Sequence, residues 1–257
     1  MRRVVIHAGF RKAGSTSIQS MLRANAHRLA PIEVHARDDL TEPFRKEAMT
    51  YCRTGAPRKL RKARAAAVVM ARNCGGGTVV ISDENLVGNR IVTERGETIY
   101  DLAALFLPML EEAFSDAEVS FVLYTRDPDK WLRSAYRQDV ANGNTAADFE
   151  TWLGAIPGDL DSEAGIERLR GALKSAIRVV RMEDEAKEAL GATVLRLAGV
   201  AEEELNRFEP AGRENASLGE AATEFLRQVN ALSLGDRPRA QVAELVRRNQ
   251  KLFGEQM

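Results

Sequence analysis

His7-Ala8-Gly9-Phe10-Arg11-Lys12-Ala13-Gly14-Ser15-Thr16-Ser17 joins a strand to a helix through a turn of phosphate size. Before it, Val4-Val5-Ile6 is a short β-branched run that reads as a buried strand. After it, Ile18, Met21, Leu22 and Leu29 recur at helical spacing, so a helix starts near Ser15 and carries His27 within it. Two glycines, one lysine and three consecutive hydroxyl residues lie between. A glycine-rich turn of this kind leaves backbone N–H groups pointing outward at a helix N-terminus, where the helix dipole favours an anion. The stretch reads as an oxyanion cradle.

Gly9 and Gly14 have the separation found in the nucleotide-triphosphate P-loop, and Thr16 stands where that motif carries its magnesium-binding hydroxyl. The lysine expected directly after the second glycine is replaced by Ser15, and Lys12 precedes Gly14 by two residues instead. Lys12-Ala13-Gly14-Ser15-Thr16-Ser17 resembles the 5′-phosphosulfate loop of sulfotransferases, with Ala13 in place of the commoner Thr or Ser. The other reading of the turn is a helix start without a ligand.

A second strand-to-helix junction follows at Val119-Ser120-Phe121-Val122-Leu123-Tyr124-Thr125-Arg126-Asp127-Pro128. Asp127 suits an N-cap and Pro128 the first helical position. Arg126 is then held at the carboxyl edge of the sheet, and Ser134, inside the new helix, leans its side chain toward the helix start. An arginine fork with a hydroxyl suits a phosphate monoester. The spacing Arg126…Ser134 again resembles the sulfotransferase family, in which such a motif binds the 3′-phosphate of 3′-phosphoadenosine 5′-phosphosulfate (PAPS).

The resemblance implies an α/β fold with a central, mostly parallel five-stranded sheet flanked by helices, P-loop-like, in one domain over 1–257. It implies a PAPS-dependent sulfotransferase that moves a sulfuryl group to a hydroxyl or amine acceptor. The 11–17 loop (Arg11, Lys12, Ala13, Gly14, Ser15, Thr16 and Ser17) with Arg126 and Ser134 would hold the nucleotide, and Lys12 would act on the leaving group. Glu84, just past the strand Thr78-Val79-Val80-Ile81, is the expected general base; His7 is the alternative, or else a buried residue that orients the loop. Two other readings stay open: a P-loop-type small-molecule kinase, and a nucleotide-binding module without catalysis.

Elsewhere the sequence is less pointed. Its 257 residues suffice for a full α/β core, and 37 basic residues balance 37 acidic ones, which gives no overall field for nucleic acid. Cys52 and Cys74 belong to no CxxC pair, so no metal site is expected, and reduced thiols suit the cytoplasm. Neither a signal peptide nor a membrane span is expected. Further strands are expected at 32–35 and 176–181, and helices over 97–114, 186–198, 217–231 and 239–252. The first of these presents Ile99, Leu102, Ala103, Leu105, Phe106, Met109 and Leu110 as core. The basic run 58–64 opens an alanine-rich helix and reads as its solvated face, the alternative being a patch that attracts an anionic acceptor or the cofactor. Gly212–Ser217 reads as a polar surface loop; the resemblance implies the alternative, a further phosphate or substrate contact through Arg213. The acceptor, a small molecule or carbohydrate, has no readable code in the variable segments 37–60, 85–96 and 140–165.

Overall fold

The structure, a computed structural model, describes residues 2–156, 160, 162–185, 190–209 and 218–254. Along the chain run β1 (Arg3–His7), α1 (Ser15–Ala24), β2 (Glu33–Ala36), α2 (Glu42–Thr54), α3 (Pro57–Asn73), β3 (Thr78–Ser82), α4 (Ile99–Ala113) and β4 (Glu118–Thr125). There follow α5 (Pro128–Ala141), α6 (Phe149–Gly154), α7 (Ser162–Ala172), β5 (Ala176–Arg181), α8 (Met182–Glu185), α9 (Ala192–Leu197), α10 (Glu202–Leu205), α11 (Glu220–Ala231) and α12 (Asp236–Arg248).

The chain divides into two compact units, Met1–Arg126 with Gly158–Glu214 and Asp127–Pro157 with Asn215–Met257. The first unit holds the whole sheet. Its five strands are parallel throughout, in the order β2-β3-β1-β4-β5. Val4, Val5, Ile6, Val79, Val80, Ile81, Phe121, Val122 and Leu123 have no solvent exposure, as a sheet covered on both faces requires. Each such side chain removed from water stabilises the fold by about 1.5–3 kcal/mol. The chain leaves β1 toward β2 on one side and later crosses to β4 on the other. That reversal makes the carboxyl ends of β1 and β4 a topological switch point, where open α/β sheets bind ligands.

α4 opens with a capping box between Thr98 and Asp101, and it buries every residue assigned to its core face except Leu105, which is half-buried. α1 ends sooner than the apolar spacing implies. The buried side chain of Asn25 donates to the Met21 and Glu209 carbonyls and accepts from the Glu209 N–H, which ties the chain down just past Ala24. His27 therefore sits in a short 3₁₀ turn, Ala26–Arg28, rather than in the helix. α3 does present Arg58, Arg61, Lys62 and Arg64 to solvent, with Ala63, Ala67 and Met70 buried behind them.

The second unit is helical among its described residues. α5, α11 and α12 close around Tyr136, Val140, Leu218, Ala222, Leu226, Ala243 and Val246, with Phe149 and Trp152 of α6 packed against them. Asn230 donates to the Val140 and Thr145 carbonyls at 2.8 and 2.9 Å, which fixes the turn after α5. No helix of the described residues is long and apolar enough to cross a membrane.

Candidate active site

β1 delivers the chain to the rim at His7, and the turn behind it is shaped by two left-handed residues. Gly14, the N-cap of α1, has φ 84°, and Lys12 takes φ 67°, unusual for a residue with a side chain. The Ala13 N–H donates to the Phe10 carbonyl at 3.1 Å, closing the turn. No side chain caps α1. Its first N–H groups, at Ser15, Thr16 and Ser17, lack intrahelical acceptors as at any helix start.

Glycine at position 9 is required by close approach. A Cβ there would lie 2.0 Å from Ser15 Oγ and 2.7 Å from His7 Nε2. Among the described residues neither atom has a hydrogen-bond partner though both are buried, and the same holds for Nε2 of Gln19 one turn along α1. A buried polar atom left unsatisfied costs about 1–3 kcal/mol, so a cluster of them beside a helix N-terminus marks a place that a polar group can occupy. Gln19 escaped the sequence reading because nothing local distinguishes it from an ordinary helical glutamine.

His7 is fully buried. Its Nδ1 lies 2.8 Å from Ser82 Oγ, and its ring meets Tyr124 edge-on at 5.2 Å. Burial alone lowers its pKa to about 3, so the imidazole is neutral at physiological pH and a poor proton acceptor. The structure thus places His7 beneath the turn, supporting it.

Burial is also the first influence on Lys12. It lowers the pKa of the ammonium, the nearby Arg11 and Arg126 guanidinium groups lower it further, and the Glu84 carboxylate opposes them. Glu84 occupies the start of a 3₁₀ turn, Glu84–Val87, just beyond β3. Burial raises its pKa, and Arg37 is the main opposing influence, with Lys12 and Arg11 adding to it. Lys12 and Glu84 are therefore neighbours in the electrostatic sense, each altering the other's proton affinity. Arg11 extends its Nη1 to 3.5 Å from the Asn89 carbonyl, and Ala13 is buried in the turn.

Two residues beside Glu84 hold it in place. Asp83 is completely buried, accepting from Thr41 Oγ1 at 2.8 Å, Arg45 Nη1 at 2.7 Å and the Asn85 N–H at 2.9 Å. Arg37 reaches Glu84 Oε1 at 3.0 Å while its own N–H donates to the Ser82 carbonyl. Like Lys12, Arg37 is left-handed, at φ 51°. The sequence reading passed over Arg37, although the rule that selected Glu84 and Arg126 also selects it: it lies just past the carboxyl end of a strand.

Arg126, directly after β4, brings its Nη1 to 3.5 Å from the Lys12 carbonyl. The lysine and arginine sequence motifs therefore meet on one rim of the sheet. The Arg126 guanidinium also faces Glu183 of α8, at 3.9 Å from Nε to Oε1, a carboxylate that the sequence reading did not connect with it. Asp127 caps α5, accepting from the Lys130 N–H at 3.0 Å, with Pro128 at the helix start as expected. Ser134 lies on α5 in the second unit, buried, its hydroxyl without a hydrogen-bond partner among the described residues. Gly212–Ser217 and Arg213 lie outside the described residues.

The arrangement offers anion donors from a helix N-terminus, the cations Arg11, Lys12, Arg37 and Arg126, and a carboxylate of raised proton affinity along one sheet edge. No protein-family model matches the chain, and no curated protein matches it significantly, so a functional reading stands on these residues and their motifs.

Proposed function

We propose that the protein is a PAPS-dependent sulfotransferase acting on a small-molecule or carbohydrate acceptor. The observation that carries this reading is the meeting of the Lys12 turn and Arg126 on one rim, with Arg126 Nη1 3.5 Å from the Lys12 carbonyl. The two sequence motifs that resemble the family's nucleotide contacts are 114 residues apart in the chain. A doubly phosphorylated adenosine needs two anion seats, and the helix start and the arginine supply one each.

In this reading the α1 N–H groups and the Ser15, Thr16 and Ser17 hydroxyls hold the 5′-phosphate, with Arg11, Ala13 and Gly14 shaping the loop. Arg126 takes the 3′-phosphate, the role in which the sequence motif couples it with Ser134. The acceptor oxygen or nitrogen attacks sulfur in line as the bond from sulfur to the bridging phosphate oxygen breaks. Lys12 meets the negative charge growing on that oxygen, and its lowered proton affinity suits it to give up a proton there. Glu84 takes the acceptor proton; its raised pKa makes it a stronger base than a solvated carboxylate. Asp83 is saturated by Thr41, Arg45 and Asn85, which counts against its serving a magnesium ion in a kinase. The cytoplasm, where Cys52 and Cys74 remain thiols, is the compartment this reading implies.

Calorimetry with adenosine 3′,5′-bisphosphate and, separately, with ATP and magnesium tests the proposal. Binding of the bisphosphate at micromolar concentration with no response to ATP is the expected result, followed by transfer of radiolabelled sulfate from PAPS in an acceptor panel. Binding of magnesium-ATP alone would overturn the reading in favour of a kinase.

A further inference from the structure

A second cluster of side chains lies on the edge strand of the sheet, away from the Lys12 rim. Glu33 and His35 are two residues apart on β2, so both project from the same face. Cys74 is the residue directly after α3. One donor atom from each of Glu33, His35 and Cys74 lies within 4.8 Å of the other two. Residues 33 and 74 have no local relation in the sequence; the parallel pairing of β2 with β3, which follows α3, brings them together.

The surroundings are those of a built ligand set. His35 Nδ1 lies 2.7 Å from Asp38 Oδ2, leaving Nε2 directed at Glu33 Oε1, 2.6 Å away. Asp38 is itself fixed, its other oxygen accepting from the Leu40 and Thr41 N–H groups at 3.1 and 3.3 Å. A carboxylate behind a histidine ring is the usual outer partner that sets the tautomer and aim of a metal-bound imidazole. Glu33 Oε2 accepts from the Gly75 N–H at 2.6 Å, and a Cβ at position 75 would lie 2.5 Å from that oxygen. Gly75 therefore lets the carboxylate sit against the chain beside the half-buried Cys74 thiol.

We propose that Glu33, His35 and Cys74 form a binding site for a zinc-type divalent ion, with water in the fourth position. A histidine between two carboxylates is complete as an ion-pair network without a thiol; the sulfur is what makes the set a metal site. Sulfur and imidazole together select zinc over magnesium or calcium, which prefer oxygen. Zinc bonds of about 2.0–2.3 Å hold tetrahedral donors some 3.3–3.7 Å apart. Metal binding would open the 2.6 Å contact between His35 Nε2 and Glu33 Oε1 to that spacing and draw the sulfur in from within 4.8 Å. The ion would pin the start of the edge strand to the end of α3 and so cover part of an otherwise open sheet edge.

The test uses the full-length, reduced protein. Zinc is titrated against a chromophoric chelator, and cobalt(II) is added separately as a spectroscopic stand-in. One equivalent of zinc should bind, and cobalt should give a thiolate-to-metal charge-transfer band in the near ultraviolet. Cys74→Ser should abolish that band and weaken zinc about 100-fold or more, while Cys52→Ser leaves both intact. Asp38→Asn should weaken zinc about 10- to 100-fold and keep the band. If Cys74→Ser does not fold by circular dichroism, His35→Gln takes its place, with zinc weakened about 10-fold or more and the sulfur band kept at saturating cobalt expected. An unchanged cobalt spectrum in Cys74→Ser, equal losses in Cys52→Ser, unchanged zinc affinity in His35→Gln, or no stoichiometric binding below about 10 μM would overturn the site.

Discussion

Replacing His7 by Asn tests the electrostatic logic of the candidate site. In the folded chain His7 stays neutral down to about pH 3, whereas an unfolded chain protonates the same side chain near 6.5. Between those values the unfolded state binds a proton that the folded state refuses, so stability rises with pH across the window and levels off above it. At about 1.4 kcal/mol per pH unit, His7 removes roughly 5 kcal/mol of stability on acidification to pH 3, and roughly 3 kcal/mol by about pH 4.5. For a fold held by about 5–15 kcal/mol this is a large fraction. His7→Asn carries no titrating group, so its pH slope should be flatter by that amount. Urea unfolding of both proteins at about pH 7.5 and 4.5, followed by circular dichroism, measures the difference. Parallel slopes, or an NMR titration placing His7 near 6.5, would refute the argument and return His7 to contention as the general base.

Lys12→Ala should lower sulfuryl transfer by orders of magnitude while adenosine 3′,5′-bisphosphate binding falls far less, as calorimetry and steady-state kinetics together would register. Arg126→Ala should weaken the bisphosphate far more than adenosine 5′-monophosphate; equal losses on both would end the 3′-phosphate assignment. Glu84 has a folded pKa raised by burial, so the stability it contributes is complete at low pH and is lost as pH rises through that value. Glu84→Gln, uncharged throughout, should therefore abolish transfer with an unchanged or higher Tm near neutral pH. A fall of several degrees would instead make the ion pair with Arg37 the dominant contribution.

The parts of the structure legible in the sequence are those that depend on neighbours in the chain. The β-branched run at residues 4–6, the glycines of the Lys12 turn and the pair Asp127-Pro128 each act within a few residues, and each lies where its chemistry implies. α2 was harder to see. Its buried stripe is Phe44, Ala48 and Cys52, one large side chain and two small ones amid charge, and carries little hydrophobic signal. The pairing of Arg37 with Glu84 spans 47 residues, and that of Arg126 with Glu183 is equally non-local. Such contacts depend on strand order, which no local pattern encodes. The Glu33–His35–Cys74 grouping escaped for the same reason: a search for metal ligands by spacing finds motifs, and this one has no spacing until β2 pairs with β3.

Lys12 is held in a left-handed backbone conformation that costs a residue with a side chain about 1–2 kcal/mol and glycine almost nothing. A procedure that selected substitutions for thermal resilience alone would favour Lys12→Gly, gaining some of that free energy and discarding the ammonium beside Glu84. If Lys12 serves as proposed, its awkward torsion, shared with Arg37, is durability given up for the placement of a charged side chain.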